Sequence, residues 1–269
     1  MTSVPFSVRR TLLIAGNTLR EAVRQKLFNL LVLLALGLVV GVRYLRDFNF
    51  GSPELKFIAD FGDGAISFFG AALTITATAQ LFFSEIENRT ALTLLAKAVW
   101  RGEFIAGKFI GVAAVAAGFC GLLSATLAAV LWSRETALMR EFPEVFAQGR
   151  VLHYGTLAVA GWLQWLKLAM LASGTLLVAS FAQTQLYTVM MGFAILVICH
   201  LQNLAHGASL VSRAMGGVIG WVFPDFQLFA VGIETELSWS HVARLTVYAL
   251  GHVAVAVALA TYAFRKREI

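Results

Sequence analysis

Residues 84–108 read SEIENRTALTLLAKAVWRGEFIAGK, an island carrying Glu85, Glu87, Arg89, Lys97, Arg101, Glu103 and Lys108 between two long apolar stretches. One stretch precedes it, from about Ala65 to Phe83, and the other follows, from Phe109 to Trp132. Each is near the ~20 residues that a helix needs to cross hydrocarbon. Neither alternates apolar with polar residues, which excludes a membrane barrel and leaves helices as the spanning structure. The island therefore reads as a polar loop between two spanning helices, and the fold class as all-α.

Composition extends this reading to the whole chain. Of 269 residues, 59% are hydrophobic and only 13% charged, so a soluble domain is excluded in favour of a polytopic membrane protein. The net charge of +6 sits in short segments flanking apolar runs, where cations signal topology rather than a nucleic-acid surface. Cys120 and Cys199 lie far apart inside apolar segments and support packing thiols, with neither a disulfide framework nor a metal site. No cleavable leader is evident ahead of the first apolar run, which is expected to act as an uncleaved anchor.

Outward from the island, residues 6–26 place Leu12, Ala15, Leu19, Ala22 and Val23 at helical spacing among Arg9, Arg10, Arg20, Arg24 and Lys26. This predicts an amphipathic helix on an anionic membrane face; the alternative is a soluble-facing helix that runs on into the membrane. The first span is expected at Leu27–Val42, extending toward Tyr44, followed by an external loop from Arg43 to Asp60. Asp60 and Asp63 read as caps of the second span, in preference to paired carboxylates handling a cation. Thr74, Thr78 and Gln80 in that span are candidates to line a translocation path, and Thr76 adds a further hydroxyl.

Beyond the island, Ala113, Ala117, Gly121, Ala125 and Ala129 form a small-residue stripe suited to a close helix approach in the bundle or at a dimer seam. Ser133–Val151 reads as a second external loop, and Leu157–Phe181 as the fourth span. Lys167 lies inside that span and is expected to snorkel outward beside Trp162 and Trp165. A tight turn at Gln183–Gln185 leads to the fifth span, about Leu186–Leu204, with His200, Gln202, Asn203 and His206 at its polar end. Histidines six apart without a carboxylate do not make a metal site. Residues 215–231, broken by Pro224 and Asp225, are expected to form re-entrant half-helices, and Leu245–Phe264 the last span. Six spans with both termini inside place five cations before span 1, four in the island and three in the tail on the cytoplasmic side.

Within the island, Gly102, Gly107 and Lys108 fit the opening of a phosphate-binding loop, but Phe109 stands where Ser or Thr must bind magnesium, and Lys108 opens a membrane helix. The chain should hold no cofactor and hydrolyse no ATP itself. Thr90 can cap a short helix over Ala91–Lys97, with Leu92, Leu95 and Ala96 as an apolar face able to enter a partner's groove; an ordinary cytoplasmic loop is the plainer reading.

The runs NTLREAVRQKLF before span 1 and EIENRTALTLLAKAVWRGEFIAGKF after span 2 resemble the permease subunits of bacterial ABC-2 type transporters, including the group associated with maturation of copper-containing nitrous oxide reductase. The resemblance implies that the island is a coupling helix docking on a separate ATPase, which carries the ATP and magnesium, through Glu85, Glu87, Arg89, Thr90, Leu92, Leu94, Leu95 and Lys97. It also implies a second permease, identical or not, beside this one, and export across a bacterial inner membrane. Such permeases commonly have a Lys-Pro-x-Ser-Arg run where this chain reads Lys97-Ala98-Val99-Trp100-Arg101, so the helix end loses its proline stop. Other expectations are a membrane anchor or scaffold that transports nothing, and an intramembrane enzyme using His200, His206 and Lys167.

Overall fold

The computed structural model describes residues 7–44, 54–87, 100–144, 146, 150, 152–206, 223–230 and 238–266. The chain forms seven long helices over these residues: α1 Val8–Arg24, α2 Lys26–Gly41, α3 Glu54–Glu87, α4 Arg101–Glu141, α5 Tyr154–Phe181, α6 Gln185–His206 and α7 Trp239–Lys266. No strand occurs among the described residues. Five helices are long and apolar enough to cross a membrane, namely α2 with its 3-10 extension to Tyr44, α3, α4, α5 and α7, while α6 is apolar over the shorter stretch Gln185–Leu201.

α1 and α2 are separate helices, because Gln25 takes an extended conformation (ψ 132°) between them. Thr11, Ala15, Thr18 and Ala22 are the buried row of α1, whereas Leu12, Leu13 and Val23 are exposed. The helix thus turns its small side chains to the protein and its large apolar ones outward. Its neighbour is α4, where Gly107 and Gly111 leave room for it: a Cβ on Gly107 would lie 2.8 Å from Ile14, and one on Gly111 2.5 Å from the Thr18 Cβ. This is the close approach that small residues four apart permit between helices.

α5 is the hub of the bundle and packs against α3, α4, α6 and α7; α3 in turn meets α2, α4, α5 and α6. The main core runs through Ile58, Ile66, Phe119, Leu123, Leu127 and Leu166. A second apolar cluster, around Phe82, Phe104, Ile105 and Phe264, closes the end of the bundle where α1 lies.

Four features differ from the sequence reading. α3 begins at Glu54, so Asp60 and Asp63 lie two or three turns inside a helix and cap nothing. No proline occurs from Glu54 to the end of the span, so nothing forces a helix to stop before it. α4 extends from Arg101 to Glu141, about 61 Å, well past Trp132. Its polar end stays helical because Arg134 and Glu135 find partners: Arg134 donates to both Glu54 oxygens (2.6 and 3.1 Å), while Glu135 accepts from the Leu152 amide (3.1 Å) and the Tyr154 hydroxyl (2.8 Å). Lys167 is buried at 6% exposure rather than snorkelling, within electrostatic reach of Asp63 of α3. Trp165 likewise donates to the Ala113 carbonyl (2.9 Å) between helices instead of standing in a membrane belt.

Of the expected re-entrant stretch, residues 223–230 are described and the remainder of 215–231 lies outside the described residues. Asp225 closes a turn by accepting from the Gln227 amide (2.8 Å), ahead of a short 3-10 turn at Gln227–Phe229. Gln227 donates to the His200 carbonyl (2.8 Å), which fastens this segment to α6.

Candidate functional site

The candidate region lies at the α1 end, where α3 and α4 emerge on either side of residues 88–99. That interval contains Arg89, Thr90, Leu92, Leu94, Leu95 and Lys97, which lie outside the described residues, as does the side chain of Glu87. Its two flanks are described, and each is tied to several other elements.

On the α3 side, the Ser84 hydroxyl donates to Glu21 of α1 (2.9 Å). One residue on, Glu85 pairs with Lys108 of α4 at 2.6 Å, and both side chains are enclosed, 9% and 2% exposed. An ion pair this dry is the electrostatic centre of the region, since each charge has given up most of its water. Lys108 also lies 6.0 Å from the Phe104 ring. Gly107 abuts Ile14 and Lys108 pairs with Glu85, so the residues resembling a phosphate loop are committed to packing and to an ion pair.

On the α4 side, Glu103 is fully buried and gathers donors from three directions. Arg10 of α1 donates to it through Nε (3.0 Å) and Nη2 (2.8 Å), the Ser7 amide at 2.6 Å, and the Trp100 amide at 3.4 Å. Two parallel guanidinium bonds are among the stronger and more directional polar contacts available. The bond to Trp100 is half of a capping box, with glutamate at the third helical position reaching back to the residue before the helix. Arg101 meanwhile donates to the carbonyls of Phe264 (3.0 Å) and Arg265 (2.8 Å) in the last turn of α7. Arg265 returns the contact, its guanidinium 4.7 Å from the Trp100 ring. Beneath these polar ties, Phe104 stacks on Phe264 with centroids 5.5 Å apart, and Phe82 meets both at 6.1 and 5.7 Å.

The result is a collar in which α1, α3, α4 and α7 hold both ends of one short segment. At the opposite end, Arg134 and Glu54 tie α4 to α3 again. Glu103 and Arg10 fasten α1 to α4, and α3 meets α4 through ion pairs near both ends, so these three helices pack as one unit.

A family model described as ABC-2 family transporter protein matches residues 12–269, nearly the whole chain. The chain belongs to this family. It is accordingly an all-helical, multi-pass membrane permease of an ABC-type transporter. No curated protein matches the chain.

The other residues singled out in the sequence fall in different places. Thr74 and Thr78 are buried within the protomer, where the Thr78 hydroxyl donates to the Thr74 carbonyl (2.6 Å). Gln80 is half-buried on the other side of α3, in a row with Thr76, Ala72 and the exposed Phe68. His200 is engaged through its ring nitrogen with the Leu196 carbonyl (3.0 Å) and through its ring with Phe226, and the side chain of His206 lies outside the described residues.

Sequence reasoning placed the segment but missed its anchors. Glu21, Arg10 and Arg101 look like ordinary surface charges in a linear chain. Glu103 carried one usable signal, its position three residues after Trp100, where a glutamate caps a helix start. The Glu85–Lys108 pair joins residues 23 apart in the chain, and only the antiparallel packing of α3 on α4 brings them together.

Proposed function

We propose that the chain is one membrane half of an exporter driven by a separate cytoplasmic ATPase, and that residues 88–99 form the helix on which that ATPase pushes. The observation that carries this reading is the collar: both flanks of the segment are fastened by buried ion pairs and aromatic packing to four helices. A loop that merely connected two spans would need no such anchorage. In this reading the α1 end is cytoplasmic, there are six spans with α6 among them, and ATP and magnesium stay on the partner. Glu85 belongs to the lever's foundation, and Glu87, Arg89, Thr90, Leu92, Leu94, Leu95 and Lys97 to the docking surface.

A second permease, identical or not, completes the path. α2 and α6 both flank α3 and present apolar rows outward, with Leu30, Leu33 and Leu34 on one and Leu186, Met190 and Val197 on the other. The row Phe68, Thr76 and Gln80 on α3 is the natural wall of a path at that seam. Thr74 and Thr78, enclosed in the protomer, would act behind it by holding the helix. Closure of the ATPases on nucleotide would draw the two collars together and rotate the bundles, opening the path to the other side.

The test is reconstitution of the permease with its ATPase after Leu92→Asp and Leu95→Asp substitution. The expected result is loss of ATPase co-purification and of permease-stimulated ATP hydrolysis, with normal membrane insertion. Full stimulation in the double variant would overturn the reading. Retained ATPase binding with no stimulation in the parent protein would favour a scaffold.

A further inference from the structure

A groove of about 500 Å³ lies between α4 and α5, away from the collar and from the α2–α6 face. One wall is the small-residue stripe of α4, with Ala117, Gly121 and Ala125 all exposed; the other is Leu157, Gly161 and Trp165 of α5. A Cβ added to Gly121 would meet nothing within 4 Å. A stripe suited to a close helix approach is thus left uncovered by any described helix of this chain.

The groove has the length and the charge of a lipid site. From Ala117 to Ala128 it follows eleven residues of α4, about 16 Å at the helical rise, roughly half of the ~30 Å hydrocarbon thickness. It therefore measures one leaflet. Apart from Ser124, its lining is apolar and aromatic until the mouth at Tyr154, where the setting changes. There the Arg150 guanidinium stacks 3.3 Å from the Trp132 ring and 5.9 Å from the Tyr154 ring. Glu135 lies 3.8 Å from one of its nitrogens, and the Arg150 side chain is 33% exposed. Glu135 already accepts from the Leu152 amide and the Tyr154 hydroxyl, so its charge is shared among three partners. A planar guanidinium held flat on an indole keeps an edge for a phosphate. Tryptophan at this depth suits the boundary between hydrocarbon and headgroups.

We propose that this groove binds an anionic phospholipid, one acyl chain lying along Gly121 and the phosphate meeting Arg150. The proposal rests only on the chain spanning a membrane, not on the coupling role of residues 88–99. It places the lipid in the leaflet at the Glu54 and Glu141 end, away from the collar.

The probe is phosphatidylglycerol carrying a photoreactive diazirine on its acyl chain, in vesicles containing the full-length permease, with diazirine-labelled phosphatidylcholine as comparison. Labelling by phosphatidylglycerol should concentrate on peptides containing residues 117–128 and 157–165. Gly121→Leu puts bulk into the groove from a position where an added Cβ meets nothing within 4 Å, and should cut this labelling about tenfold, the loss expected for roughly two displaced methylene groups. Gly251→Leu adds the same bulk at an open position on α7 and should leave it unchanged. Arg150→Gln should bring the two lipids to equal labelling. Labelling spread evenly over the spans, equal loss in both leucine variants, or no preference for phosphatidylglycerol in the parent protein would each overturn the proposal. Disulfide-linked dimers from Ala125→Cys in membranes would overturn it in favour of a second copy of the chain.

Discussion

Replacing Lys108 by methionine would remove the cation from a pair 2.6 Å apart whose side chains are 2% and 9% exposed. Glu85 would then keep a carboxylate in a site with little water to solvate it. Surface ion pairs are worth ~0–1 kcal/mol, but stripping one member from a buried pair costs about 3–5 kcal/mol, because the remaining charge loses its counter-charge where little water can take its place. Burial therefore decides the size of the effect. At about 2–4 °C per kcal/mol for a chain of this size, the melting temperature should fall by on the order of 10 °C. Glu85→Leu combined with Lys108→Met removes both charges and should recover most of the loss, since an apolar pair of similar volume can replace a buried ion pair at little cost. The six tryptophans give an intrinsic fluorescence signal for thermal melts in detergent. A Lys108→Met melt within a degree of the parent, or a double variant no better than Lys108→Met alone, would refute the reasoning.

Three further outcomes follow from the geometry. Glu103→Gln weakens two guanidinium bonds, each charge-assisted, and should release α1 from α4 at a cost of roughly 1.5–3 kcal/mol, seen as faster protease cleavage within residues 7–24. Gly111→Leu places bulk against Thr18 and the Ala15 carbonyl and should prise α1 from α4, seen as a lower melting temperature and faster protease cleavage within residues 7–24. Lys167→Met should destabilise the bundle by more in the presence of Asp63 than in an Asp63→Asn background, and a double-mutant cycle in thermal melts reads that coupling directly.

Much of the architecture is legible in the linear chain because lipid narrows the choices. An apolar run of spanning length has to be helical, so α2, the inner part of α3, α5 and the break at residues 182–184 follow from hydropathy. Hydropathy is silent about where a spanning helix stops. α3 and α4 continue through polar residues because Arg134 pairs with Glu54 and Glu135 accepts from Tyr154, partners 80 and 19 residues apart in sequence. The same blindness made Lys167 look free to reach the surface, when the packing of α3 against α5 supplies it with Asp63 instead.

The sequence by itself determined the class of molecule, the membrane as its solvent, and a polar stretch within residues 84–108 that joins two spanning helices. Family membership follows from nearly the full length of the chain. Only the tertiary structure decided what holds that segment. Glu21, Arg10 and the carbonyls of α7 come from both ends of the chain, and they reach the flanks of residues 88–99 because small residues on α1 and α4 let the helices close to contact. Ion pairs between distant residues form where packing brings opposite charges into contact, and no local pattern of residues encodes where that happens.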